Sequence, residues 1–227
     1  MGDKKQKEAS QKRWKKVLFI IAAVLFVVVM VVSSMGSHWI TGLAPVKAGD
    51  AVVIDYTIYD AAGNPVVTTS QELYKQYSTN GSIMYAKQIS LTANQSLKQA
   101  IYPIPVYVAQ TGSYEGFALY NPEYNAISNA VVGMRTSDKK RVDLTSGTSM
   151  VKLFSPETLQ EGKINISSLQ TGDVLAMGVS ESYNASASNT SATYIRLAEV
   201  ARISDAGAVI DFGYPYADIT LTSFTSS

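Results

Sequence analysis

The chain has 227 residues, 46% of them hydrophobic and 16% charged, with a formal net charge of +1; this is the composition of a globular protein, not of a disordered one. It contains no cysteine and one histidine, His38, which excludes disulfides, thiolate nucleophiles, thiolate metal sites and histidine clusters. Seven basic residues against two acidic ones give positions 1–16 a charge of +5, whereas positions 36–227 hold twelve basic against sixteen acidic residues, so nucleic acid is not an expected partner.

Positions 1–16 read as a basic cytoplasmic tail. From Val17 to Val32 every residue is apolar, and Ser33 to Gly36 are small and uncharged, so a transmembrane helix is expected over 17–36, bracketed by Trp14 and Trp39. The basic residues ahead of it orient the amino terminus inward and place the remainder outside the cytoplasm. A cleaved signal peptide is the rival reading, with Val32, Ser33 and Ser34 as a weak cleavage site. Five Asn-x-Ser/Thr sequons, at Asn80, Asn94, Asn165, Asn184 and Asn189, all follow the apolar stretch and agree with an outer location.

After a linker over 37–45, Asp50 to Thr69 alternates apolar and polar residues around Gly63-Asn64-Pro65, which predicts a hairpin. Positions 71–116 are Tyr-rich and polar, with Ile101–Val108 as an edge strand interrupted by Pro103 and Pro105. Asn121-Pro122-Glu123 predicts a helix start, and Tyr124, Ile127, Ala130, Val131 and Met134 follow at helical spacing. Asp138 to Arg141 reads as a solvated turn into a strand. Further strands are expected over 151–154, 174–179, 194–203 and 208–212, with the Ser/Asn-rich 180–193 as a loop.

Four segments in order resemble the FKBP-type peptidyl-prolyl isomerases, in particular the SlyD-like branch. They are Val46-Lys-Ala-Gly-Asp-Ala-Val-Val-Ile-Asp-Tyr-Thr57 with Gly63 and Thr68-Thr69-Ser70; Phe117 with Ala126-Ile-Ser-Asn-Ala-Val-Val-Gly-Met134; Lys139-Lys140-Arg141-Val142; and Arg196-Leu-Ala-Glu-Val200 followed by Val209-Ile-Asp-Phe-Gly-Tyr-Pro-Tyr-Ala217 and Leu221. The resemblance implies an α+β fold, mostly antiparallel β, in which an FKBP-like half-barrel wraps one helix and carries an inserted small β-rich domain. The implied layout is an isomerase domain over 46–148 with an atypical insertion at 75–115, an insert-in-flap domain over 149–208, and a closing strand over 209–227.

The implied activity is cis-trans isomerisation of prolyl bonds together with chaperoning of unfolded or proline-containing polypeptides, tethered at the membrane, and no cofactor or metal is expected. A dry pocket that prefers the twisted amide lowers a barrier of about 18–20 kcal/mol without covalent chemistry. The resemblance places Tyr56, Thr68, Ile127 and Tyr214 in the catalytic set and Val67, Phe117, Tyr124, Val131 and Phe224 in the substrate-binding set. Several of these depart from the family pattern: Val67-Thr68 stand where Phe-Asp is usual, Ile127 replaces an aromatic, Tyr214 a histidine, and Phe224 falls one residue late. Two alternatives therefore stand beside isomerase, an inactive polypeptide-binding holdase and a cell-surface structural β protein.

Overall fold

The computed structural model of the chain describes residues 20–31, 33, 44–80, 83–109, 111–145, 150–180 and 193–226. Met1–Ala44 and Pro45–Ser227 are separate compact units. In the first, residues 20–31 are helical and exposed. Among the described residues no helix is long and apolar enough to cross a membrane, which corrects the expected transmembrane helix. The tail over 1–16, residues 17–19, 32 and 34–36 of the apolar stretch, and 37–43 of the linker lie outside the described residues.

The second unit is built on strand β1 (Ala51–Tyr59), whose Val52, Ile54, Tyr56 and Ile58 point to one face and are buried. The turn at Gly63, whose φ of 83° suits glycine, returns the chain as β2 (Pro65–Thr68), so the predicted hairpin forms. Helix α1 (Gln71–Tyr77) starts at Ser70, whose hydroxyl accepts from the Leu73 N–H at 3.3 Å. Short strands β3 (Met84–Ala86) and β4 (Ile89–Thr92) lead to the long hairpin of β5 (Ile101–Val108) and β6 (Ser113–Tyr120), then to α2 (Asn121–Ala130) and β7 (Lys139–Asp143). The remainder comprises β8 (Val151–Phe154), α3 (Pro156–Glu161), β9 (Val174–Ser180), β10 (Thr193–Ser204), β11 (Gly207–Asp211) and β12 (Tyr216–Thr225).

These strands form one curled twelve-stranded sheet in the order β7-β12-β1-β2-β3-β5-β6-β10-β11-β8, with β4 beside β1 and β9 beside β10. The expected fold class is corrected here. The sheet is mixed, because β2 and β3 run parallel, as do β6 and β10. The first parallel pair follows from α1, which carries the chain back across before β3 begins, as parallel neighbours require. The second joins strands separated by α2, β7 and the whole β8–β9 region. Nor is there a single helix, since α1 and α3 accompany α2.

Two cores result. The larger gathers Ile54, Ile58, Val67, Ile104, Val106, Phe117, Leu119, Ile127, Val131, Ile219 and Leu221 around α2, which packs against β5, β6 and β7. Residues 75–115 contribute to it: Met84, Ala86, Leu91, Ile104 and Val106 are buried there. The smaller core holds Leu159, Ala198, Val200, Ala208, Ile210 and Phe212, with Ile164, Ile166 and Leu169 against it. It lies under a second, antiparallel part of the sheet, β8-β11-β10-β9.

Two local expectations change in detail. Strand β5 lies between β3 and β6 and is not an edge, but β3 reaches only Val106 and Tyr107, so Pro103 and Pro105 occupy the stretch where β6 is the paired neighbour. Proline lacks the N–H that a second neighbour would need there. At the start of α2, the Asn121 carboxamide does not cap the helix. It donates to the carbonyls of Leu97 and Gln99, while Glu123 reaches back to the Tyr120 N–H at 2.9 Å.

Candidate functional site

The residues singled out as an isomerase pocket are mostly buried in the main core and share no single hollow: Tyr56 borders a groove of about 600 Å³ with Tyr59, Leu73 and Ile219, Tyr124 borders another beside Leu97, and Tyr214 lines the cleft described below. Tyr56, Val67, Thr68, Phe117, Tyr124, Ile127, Val131 and Tyr214 are all buried, and only Phe224 is half-exposed, packed on the core's margin. They fall into smaller contacts. Phe117 and Tyr214 stack at 6.1 Å, and Tyr124 meets Tyr102 at 5.0 Å. Thr68 turns to Thr57, hydroxyl to hydroxyl at 2.8 Å, and its oxygen also accepts the Ser70 N–H at 3.0 Å. The Tyr56 hydroxyl is buried without a hydrogen-bond partner among the described residues, and burial pushes its pKa far above the ordinary tyrosine value.

At the junction of the two cores lies an ion pair that the sequence reading missed. Arg196 on β10 and Glu123 in the first turn of α2 both have side chains 0% exposed. Two guanidinium nitrogens donate to the two carboxylate oxygens, at 2.5 and 2.9 Å. The remaining donors reach the carbonyls of Phe212 at 2.7 Å and Ala118 at 2.6 Å, and the Tyr120 and Tyr214 rings lie 4.2 and 4.3 Å from the guanidinium carbon. Every charge is thus matched, as a buried pair must be if it is not to destabilise the fold. The carboxylate raises the Arg196 pKa against the opposing effect of burial, so the guanidinium stays charged. The signal in the sequence is an arginine at an inward position of an apolar strand, two residues before Ala198 and four before Val200.

Two hollows open near this junction. One is a cleft of about 200 Å³ between the β1–β2 turn and the outer face of β10, walled by Pro65, Val66, Ile83, Leu197 and Tyr214. Its rim carries Tyr77 and the carboxylates Asp60, Glu199 and Asp211. Two of those carboxylates are engaged in local turns, Asp60 with Asn64 and Asp211 with the Gly213 N–H at 2.8 Å. Tyr214 is the one expected catalytic residue that lines this cleft. Its hydroxyl donates to the Leu197 carbonyl at 2.8 Å, and burial raises its pKa.

The other hollow is a larger groove of about 710 Å³ between the start of α2 and the inner face of the second sheet part. Ile101, Tyr120, Pro122, Met150, Phe154, Met177, Val179 and Phe212 line it, and Lys152 is the one ionisable side chain other than Tyr120 along its wall. None of the nine expected site residues lines it. Among the described residues no group of three or more carboxylate or histidine side chains could hold a metal ion. Compared with known proteins, the chain matches no protein-family model, and a search of the curated proteins finds no significant match.

Proposed function

We propose that this protein binds extended, apolar segments of unfolded polypeptides and does so outside the cytoplasm. The observation that carries this reading is the make-up of the larger groove, which is lined by Tyr120, Phe154, Phe212 and two methionines with Lys152 as its one charged side chain. Methionine is flexible and polarisable, and a wall with two of them accepts side chains of varied shape, as a low-specificity binder requires. A wall with one charged side chain offers little to a folded, charged surface. The resemblance of four segments to the SlyD-like isomerases, whose inserted domain binds unfolded chains, supports the same reading. The basic residues ahead of the apolar stretch and the five sequons support the outer location.

A second reading, prolyl isomerisation, is favoured by the cleft at Tyr214, whose apolar walls enclose a volume suited to a proline ring. One pair of variants separates the two. Met177→Glu puts a charge into the groove and should weaken suppression of aggregation of a reduced, unfolded protein by about tenfold or more, the penalty of burying an unpaired charge. Tyr77→Ala opens the rim of the cleft and should leave that protection unchanged. Acceleration of cis-to-trans conversion in an Xaa-Pro peptide, lost in Tyr77→Ala and kept in Met177→Glu, would add the isomerase activity. Protection from aggregation that Met177→Glu leaves intact would remove the groove from the reading.

A further inference from the structure

The sequons remain unexplained by either hollow, and two of them lie where the structure describes the asparagine and its neighbours in full. Asn94, Gln95 and Ser96 are all exposed, at the turn that leaves β4. The turn is held from beneath: the Asn94 N–H donates to the Ser128 carbonyl at 2.9 Å, and the Gln95 N–H to the Ser128 hydroxyl at 2.9 Å. Asn94 has a φ of 58°, a left-handed conformation that asparagine tolerates. Asn165 and Ser167 are also exposed, at the start of the short 3-10 turn Ile166–Ser168. There the Asn165 Oδ1 accepts the Ser167 N–H at 3.0 Å, closing a ring across the sequon.

We infer that Asn94 and Asn165 are attachment sites for N-linked saccharide on the folded domain, an inference that rests on the outer location proposed above. The donor is a lipid-linked saccharide and the catalyst an oligosaccharyl transferase. The Nδ2 of each asparagine forms a bond to the anomeric carbon and gives up one proton, and the bond from that carbon to the lipid phosphate breaks, its electron pair leaving with the phosphate. Both carboxamides can carry a bulky group with no movement of the fold, because neither is covered by a neighbour. Neither asparagine lines the cleft or the groove, so the saccharide leaves both open to a polypeptide.

The structure dictates which variants test this. Asparagine replacements would also disturb the left-handed turn at Asn94 or the cap at Asn165, so the serines are the informative positions. Ser167 holds the turn through its backbone N–H, and Ser167→Ala keeps that bond; Ser96→Ala likewise leaves Asn94 in place. The full chain, isolated from the cells that naturally make it, should show saccharide mass on the peptides containing Asn94 and Asn165. Ser96→Ala should remove the first increment alone and Ser167→Ala the second alone. In parallel, lysines of the domain are labelled on intact cells with a reagent that does not cross membranes. Unmodified Asn94 and Asn165 peptides in a chain that is labelled would overturn the inference and leave the outer location standing. A chain with neither label nor saccharide would overturn both.

Discussion

Tyr56 and the Arg196–Glu123 pair show opposite outcomes of burying a polar group. The Tyr56 hydroxyl has lost its water without gaining a partner, so Tyr56→Phe should be neutral or stabilising by up to about 1 kcal/mol in urea denaturation. A loss larger than that would show that the hydroxyl is bonded after all. Both Tyr56 and Tyr214 have pKa values raised by burial above the roughly 10 of an unfolded chain. Their contribution to stability is therefore intact below about pH 10 and is lost as the pH rises from there toward the folded-state values. Circular dichroism should show alkaline unfolding setting in above about pH 10, with Tyr56→Phe moving the onset upward. The ion pair behaves otherwise: Arg196→Met leaves Glu123 uncompensated in the interior and should cost about 3–5 kcal/mol. The double variant with Glu123→Gln should lose less than the two single losses together, because no bare charge remains. The sequence marked Glu123 as an acid at a helix start, and so it is. That its partner lies 73 positions further on was not legible, because pairing at that distance depends on how β10 meets α2.

At the scale of elements, strands were the most legible feature. The expected hairpin forms as β1 and β2, and β8, β9, β10 and β11 all begin and end within one residue of the expected strands, because alternation of apolar and polar side chains reports one buried face directly. What alternation could not reveal was the direction of neighbours. The parallel pairing of β2 with β3 depends on where α1 sets the chain down, and no residue of β3 encodes that alone. Positions 75–115 were opaque for a related reason: β3 and β4 have three and four residues, too few to establish a period. The tightest element is the β10–β11 turn. Gly207 has a φ of 132°, and a Cβ there would stand 2.0 Å from the Phe154 carbonyl oxygen of β8. Gly207→Ala must therefore push β8 away as well as strain the turn, and should cost roughly 2–4 kcal/mol, read as a lowered thermal midpoint. An unchanged midpoint would mean that β8 is free to yield.

Across the whole molecule, stability is unevenly distributed. The larger core packs between α2 and the curled sheet, whereas β9 is at most half-buried at every position and Val151, Leu153 and Val174 are more than 40% exposed. Amide hydrogen exchange should accordingly be faster in β8 and β9 than in β1 and β12, the less stable part opening without global unfolding. Uniform protection across the four strands would indicate one cooperative unit. The candidate site was less legible than the fold for a physical reason. Side-chain identity at Tyr56, Phe117 and Tyr214 says that an aromatic is buried, and only the packing decides whether the rings enclose a hollow or fill it. Here the three rings border no common hollow, and the wall of the larger groove is made in part by Met150, Met177 and Phe212, which in sequence look like ordinary strand residues.

The pairing of β1 with β12 carries one more consequence. Ala51, where the folded domain's first strand begins, lies opposite Thr225, near the end of its last. A pull applied between these two residues acts across the ladder and not along it, so the backbone bonds bear the load one after another, like the teeth of a zip. The domain should yield at low force when stretched by its ends, opening first at Ala51–Thr225 and next at the register shift beside Val53.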